Sequence, residues 1–455
     1  MREAVRIGIR REDKNCWERR APLAPQHVEH LRVRHQLSFV VQSSTIRAFT
    51  DDEYAEAGAR ISDTLDDCDL VLAVKEIPSD FFSESKSYVF FSHTIKGQPY
   101  NMAMLQRLID LRAQLVDYEP ITDEKGRRLV FFGRYAGLAG MIDSLHGLGV
   151  RLHLEGFETP FAAVRPAHAY HDLADAKRSL RTLGQDLRAH LLPEALCPMV
   201  FGVLGYGNVS QGAQEIIDVF PHEQITPAEL PALMARTEKP RDRIFKVVYR
   251  EEDLVQRTDG KAFELEDYYR HPEHYRSCFE PHLQHISLLL NAIYWDERYP
   301  RFVPNAALQA LFAEAKTPRL RMIGDVSCDI DGSVQATTKE TDQDSPFLTF
   351  EPGRGASVDG LGNSGVNLLA VANLPCELPR DATVAFGEQL SPFVDALARA
   401  DWSGTLEQAG LPEELQRATL LLRGELTPRY AQLQQHLDQH AARLAASGDA
   451  QSTKR

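Results

Sequence analysis

Short, nearly continuous apolar runs recur along this chain at 5–9, 39–42, 70–74, 88–91, 114–116 and 129–132. A strand exposed on one face alternates polar and apolar residues, so unbroken runs mark strands covered on both faces. Helical patterns over 25–34 and 101–111 lie between them. Strand–helix alternation of this kind closes into a parallel sheet flanked by helices, an α/β fold. At 455 residues the chain exceeds what one core organises, which predicts two or three domains.

A second signal sits at 202–212, Gly-Val-Leu-Gly-Tyr-Gly-Asn-Val-Ser-Gln-Gly. The apolar Met199-Val200-Phe201 precedes it. Val209, Ala213, Ile216, Ile217 and Phe220 then fall on one helical face. Strand, glycine turn and helix in that order predict a dinucleotide-binding loop. Gly205 permits the tight turn and Gly207 lets the backbone approach a pyrophosphate. Tyr206, Asn208 and Val209 complete the loop at the N–H-bearing start of the helix. Ser210 replaces the third glycine of the usual fingerprint, with Gly212 two residues on.

A long helix over 136–153, rich in small residues, carries the predicted boundary between the domains. Residues 240–300, charged and aromatic, read as an insertion in the second domain, and 321–326 as a later strand of it. The glycine-rich 351–365 reads as a loop or hinge. Helices are expected at 365–374, 381–400 and 411–445, and a disordered polar tail at 446–455.

Composition narrows the function. The net charge of −14 argues against nucleic-acid and membrane-surface partners. No apolar stretch approaches the ~20 residues that span a bilayer. The first residues pass directly into a strand, so no signal peptide is expected. Six scattered cysteines (16, 68, 197, 278, 328 and 376) read as reduced thiols in a cytoplasmic protein. His271, His274, Cys278, His282 and His285 have helical spacings that could hold zinc, but a His-rich, partly exposed helix is favoured and no metal is predicted.

Ligands of open α/β sheets sit outside the carboxyl ends of the strands. The run at 70–74 ends in Lys75-Glu76, that at 88–91 in Ser92-His93-Thr94, and that at 114–116 in Asp117-Tyr118-Glu119. The first run ends in Arg10-Arg11, with Glu18-Arg19-Arg20 close behind; Met322-Ile323 leads into Asp325 and Asp329. Lysine and histidine move protons near neutrality once burial or a carboxylate shifts them. Arginine is the natural fork for a substrate carboxylate.

The same residues carry a resemblance. The blocks Arg10–Asp13, Trp17–Pro25, Phe90–Lys96 and Gly205–Gly212 are similar to those of the lysine–ketoglutarate reductases, the N-terminal half of α-aminoadipic semialdehyde synthase. More distantly they resemble the alanine dehydrogenase/transhydrogenase and saccharopine dehydrogenase group. The likeness runs from about residue 5 to about 435. It implies two Rossmann-like parallel-sheet domains with a cleft between them, the first discontinuous (1–140 plus 360–445) and the second, at 141–359, binding the dinucleotide. It implies that Arg20 holds a substrate carboxylate, that Lys75 and His93 are catalytic, and that Glu119 and Asp329 face the cleft. Asp325 joins the glycine loop in binding cofactor.

The activity implied is condensation of L-lysine with 2-oxoglutarate and reduction of the imine to saccharopine by a nicotinamide cofactor. A separate glutamate-forming saccharopine dehydrogenase is then the expected pathway neighbour, and homo-oligomers are expected. Asp329-Ile330-Asp331-Gly332-Ser333 stands where relatives have a Gly-Gly pair. About twenty residues past the glycine loop, Ile225-Thr226-Pro227 lacks the acidic residue that binds an NAD ribose, which favours NADP(H); Glu223 and Glu229 nearby keep NAD(H) open. Other amino-acid or opine-forming dehydrogenases, and a non-catalytic nucleotide-binding homologue, are the alternatives.

Overall fold

The computed structural model describes residues 5–314 and 317–452. The chain divides into two units: residues up to Phe131 together with those from Pro379 onward, and Phe132–Leu378. The division falls before 140 and after 359. Helix Gly133–Leu154 belongs wholly to the second unit, and a strand beyond residue 360 completes that unit's sheet.

The first unit begins with β1 (Arg6–Ile9), β2 (Ser38–Gln42), β3 (Arg60–Ser62), β4 (Leu70–Leu72), β5 (Ser87–Phe90) and β6 (Gln114–Asp117). These pair in parallel, in the order β6-β5-β4-β1-β2-β3. The strand residues of β4, β5 and β6 are all buried, as unbroken apolar runs require. Helix Pro25–His35 packs on helix Pro379–Arg399 from the far end of the chain. The expected strand at 129–132 does not form; those residues bend into the following helix, and their aromatic and apolar side chains had mimicked a strand.

The second unit holds β7 (Met199–Leu204), β8 (His222–Ile225), β9 (Ile244–Tyr249), a two-stranded ribbon of β10 (Val255–Arg257) and β11 (Tyr275–Ser277), then β12 (Leu288–Asn291), β13 (Met322–Asp325), β14 (Phe347–Glu351), β15 (Ala356–Asp359) and β16 (Val366–Leu369). The main sheet runs β15-β14-β16-β13-β12-β7-β9-β8, parallel from β16 to β8 and antiparallel at β14 and β15.

Three expectations for this unit need correcting. Residues 240–300 are no insertion, because β9 and β12 flank β7 on either side; what departs from the sheet is the aromatic segment between them. The segment 351–365 is turn or loop at 352–355 and 360–365, as a loop reading expects, but Ala356–Asp359 between them is β15, paired antiparallel with β14. The helix expected at 365–374 is β16, whose four apolar or amide residues are buried against β13 and β14.

Helix Gly133–Leu154 is buried along most of its length because it packs both on the sheet, at β12, β13 and β16, and against helix Asn208–Ile217. A β-carbon at Gly137 would stand 1.8 Å from the Val209 carbonyl oxygen, and one at Gly212 2.0 Å from that of Arg134. The two helices therefore touch backbone to backbone, which only glycine allows.

The chain then returns to the first sheet. In place of one helix over 411–445 there is a short helix Glu413–Ala418, then β17 (Thr419–Leu422) and β18 (Glu425–Leu426), then helix Leu433–Ser452. β17 lies antiparallel on β6 and completes the order β18-β17-β6. The predicted disordered tail is helical as far as Ser452; 453–455 lie outside the described residues. No helix among the described residues is long and apolar enough to cross a membrane.

Candidate active site

In the first unit, the loops leaving β1, β4, β5 and β6 bring ionisable groups to one edge of the sheet. The Glu12 carboxylate accepts the N–H groups of Val74 (2.7 Å) and Lys75 (3.0 Å), fastening the β1 loop to the end of β4. Burial and the nearby Glu18 charge push Glu12 up to about 7, against those two hydrogen bonds and Arg10.

Arg20, expected to hold a substrate carboxylate, grips Glu18 in a two-pronged pair at 2.7 and 2.5 Å. Their side chains are 1% and 0% exposed. Lys75 is half-buried beside them. Burial and the Arg20 charge lower the proton affinity of its amine, while Glu18 and Glu76 pull the other way. An amine so placed can accept and release a proton nearer neutrality than a surface lysine.

His93 occupies a left-handed backbone conformation, φ +49°, which a non-glycine residue holds only when its surroundings impose it. Here the Asn101 side-chain amide donates to the carbonyls of Ser92 (3.0 Å) and His93 (3.3 Å). The ring Nδ1 meets Glu76 Oε1 at 2.5 Å. Burial opposes ionisation of Glu76, but the histidine and Lys14 outweigh it and hold the carboxyl at about 2. Nδ1 is thereby fixed on a carboxylate, leaving Nε2 to exchange protons with a ligand.

Asp117, at the end of β6, takes the Ser92 N–H (2.9 Å), the Ser92 hydroxyl and the Glu119 N–H (2.7 Å). Burial raises it to about 6 against these donors. Glu119 itself is ion-paired with Arg128.

In the second unit the glycine turn stands at the end of β7. Gly205 has φ +89°, and a β-carbon there would lie 2.8 Å from Ile293 Cγ2. Gly207 starts helix Asn208–Ile217, which has no side-chain cap, and a β-carbon at 207 would meet nothing within 4 Å. The protein's own packing gives no reason for glycine at 207. Open space before free helical N–H groups fits a phosphate. Asn208 and Val209 open that helix, and Tyr206 is exposed beside it.

Ser210, at the third position of the fingerprint, is buried with its hydroxyl bonded by the Gln214 amide (3.0 Å). The close helix contact is made by Gly212 instead.

Asp325, expected at the cofactor, is 1% exposed. Its carboxylate is taken up by Asn291 (2.8 Å), Ser327 (2.8 Å) and Thr337 (2.6 Å), an internal clasp holding the turn after β13. Asp329 lies in that turn, where its carbonyl accepts the Gly332 N–H at 3.0 Å. The neighbouring Asp331, φ +50°, is held by Arg301 through two bonds of 2.7 and 3.0 Å, which lets a non-glycine residue stand in the tight turn.

Of the histidine group, His271 and His274 cluster with Glu273 within metal-ligand distance, and all three are exposed. His282 instead stacks on Phe279, and no single helix carries the set.

The twenty-residue offset used to judge the ribose site leads to the end of β8. That strand is at the sheet edge, and β9, not β8, adjoins β7. The absent carboxylate at 225–227 therefore says nothing about the ribose. Glu223 pairs with Arg243 (3.3 Å), and Glu229 caps Thr226 (2.7 Å). Partners that the sequence reading left unassigned are Glu12, Glu18, Glu76 and Asp117. Their signal was proximity to the flagged groups, as in Glu18-Arg19-Arg20 and Lys75-Glu76.

Comparison with known proteins agrees with this architecture. L-alanine dehydrogenase superposes with a TM-score of 0.61 at 19% identity, covering 95% of this chain and 100% of that one. The chain has the alanine dehydrogenase fold. Transhydrogenase from Sinorhizobium meliloti gives 0.52 at 12% identity, covering 93% of this chain and 100% of its own. The family described as alanine dehydrogenase/PNT, N-terminal domain, matches residues 8–139.

Over 93% of its length the chain is homologous to α-aminoadipic semialdehyde synthase of Arabidopsis thaliana, at 38% identity, covering 41% of that protein. The mitochondrial synthase of Rattus norvegicus is 35% identical over 94% of this chain and 47% of its own. The chain thus spans less than half the length of these relatives. Saccharopine dehydrogenase [NAD(+), L-lysine-forming] of Neurospora crassa is 26% identical over 88% of this chain and 92% of its own.

Proposed function

We propose that this chain is a lysine–2-oxoglutarate reductase, joining the ε-amine of L-lysine to the keto carbon of 2-oxoglutarate and reducing the imine to saccharopine with NADPH. The observation that carries the reading is the pair of proton-handling groups at one sheet edge: Lys75 with lowered proton affinity, and His93 locked on Glu76. Similarity to the synthases and to the L-lysine-forming dehydrogenases supports the substrate class.

Condensation takes two protons in turn from the attacking ε-ammonium and delivers two to the keto oxygen, one as the carbinolamine hydroxyl forms and one as that hydroxyl leaves as water. Lys75 and His93 Nε2 are the groups suited to those transfers. Arg20 orients a substrate carboxylate, with Glu18 fixing the plane of its guanidinium. Glu18 and Glu76 contribute the negative charge that tunes Lys75, while Glu119 is held by Arg128 at the same edge. The backbone of Gly205–Val209 would hold the pyrophosphate of a nicotinamide dinucleotide, whose chemistry there would be hydride donation to the imine carbon. A cytoplasmic, homo-oligomeric enzyme working ahead of a glutamate-forming saccharopine dehydrogenase completes the reading.

The test is NADPH and NADH oxidation in a matrix of amino acids against 2-oxoglutarate, pyruvate and glyoxylate. Oxidation that requires lysine and 2-oxoglutarate together is expected. Oxidation indifferent to lysine, or none, overturns the proposal.

A further inference from the structure

β7 and β9 pair along their whole length, from Met199 opposite Ile244 to Leu204 opposite Tyr249. They leave the sheet side by side, at Gly205 and Arg250. The Gly205 N–H donates to the Tyr249 carbonyl at 2.9 Å, tying the glycine turn to the end of β9. In a dinucleotide fold, the strand beside the glycine-turn strand ends at the adenosine ribose. Here that strand is β9, and its end reads Arg250-Glu251.

The two side chains differ in what already occupies them. Glu251 accepts the Tyr269 hydroxyl at 2.7 Å and also faces the hydroxyl of Tyr206. Its carboxylate is taken by phenols. Arg250 is exposed, and among the described residues its guanidinium makes no ion pair. It lies 4.9 Å from the centre of the ring of Tyr206, which is 40% exposed and belongs to the glycine turn. A planar cation laid on an aromatic ring keeps its N–H edge turned outward, and that edge matches two phosphate oxygens.

Beside this pair is a cavity of about 310 Å³. Gly205, Gly207 and Glu251 line one part of it, and Tyr268, Trp295 and Phe302 supply flat apolar walls. Such walls suit a purine ring.

We propose that Arg250, seated on Tyr206, reads the 2′-phosphate of NADP(H), while the aromatic cavity takes the adenine. The inference rests on the dinucleotide-binding reading of the second unit and gives its preference for NADPH a physical basis. An acidic chain offers a dianionic phosphate no general attraction, so the discrimination has to come from a local cation.

Titration calorimetry of the whole chain with 2′,5′-ADP and 5′-AMP separates this inference from the catalytic reading, because neither ligand carries a nicotinamide. A two-pronged charged contact predicts about tenfold or tighter binding of 2′,5′-ADP. Arg250→Ala should bring the two affinities within about threefold of each other, and Arg250→Lys should keep part of the difference. Arg250 is exposed, so both variants are expected to fold, which circular dichroism checks.

Equal affinities in the unmodified chain, a preference that survives Arg250→Ala, or binding of neither nucleotide would each overturn the inference. A retained preference for 2′,5′-ADP without lysine-dependent oxidation would overturn the proposed reaction alone and leave the assignment of Arg250 standing.

Discussion

The two eight-stranded sheets present opposite kinds of chemistry at their strand ends. The first displays ionisable side chains, each held in place: Glu12 by the backbone N–H groups of Val74 and Lys75, Arg20 by Glu18, His93 by Glu76. At the end of β7 the second presents an absence of side chains, with Gly205 and Gly207 exposing backbone, and it buries its own carboxylate, Asp325, in an internal clasp. In the proposed reaction one edge shifts protons and the other admits phosphate. Substitutions in the two should therefore fail in different ways.

The largest effect is expected at the charged edge. Lys75→Met and His93→Gln should each lower turnover by about 10²–10⁴-fold with the melting midpoint little changed. Steady-state kinetics beside circular dichroism decides this, and turnover within about threefold of the parent in both variants would break the contrast.

In the second unit stability and binding should separate. Gly137→Ala forces a β-carbon onto the Val209 carbonyl and should cost about 1–3 kcal/mol in denaturant unfolding. Gly207→Ala meets no protein atom, so it should leave unfolding unchanged while weakening NADPH binding. Similar unfolding losses for both would remove the distinction between packing glycine and ligand glycine.

The smallest effect concerns a buried carboxyl pair away from both edges. Burial holds Glu377 at about 7, and burial together with Glu377 raises Asp143 well above its ordinary range. A carboxyl with a raised folded pKa binds its proton more tightly in the folded chain. Its stabilising contribution is complete below the ordinary carboxylate pKa and disappears as pH climbs through about 7. Melting temperature should fall between pH 5 and 8, and Glu377→Gln should flatten that slope. An unchanged slope would show that the pair does not titrate in this window.

Strands β1, β2, β4, β5 and β6 of the first sheet and β7 and β13 of the second were legible because double-sided burial writes an apolar run into the sequence, as at 70–74 and 88–91. Pairing order was not legible, since nothing local in β8 or β9 says which of them adjoins β7. The twenty-residue offset therefore points to Ile225–Pro227, whereas the strand end beside β7 carries Arg250. Lys75 and His93 could be singled out from their places after apolar runs. Their partners needed three dimensions, because Glu12 reaches Lys75 across 63 residues and Glu76 reaches His93 across 17. β16 escaped notice because Val366–Leu369 follows a run of glycines that reads as a hinge.

The return of the chain to its first sheet bears on how it is born. During synthesis β1 to β6 emerge early, yet β6 keeps one edge unpaired until Thr419–Leu422 has been made. Phe132–Leu378 is complete by then. The later unit in sequence is thus the earlier one able to close, and the first must wait with an uncovered strand, the state most open to mispairing with another chain.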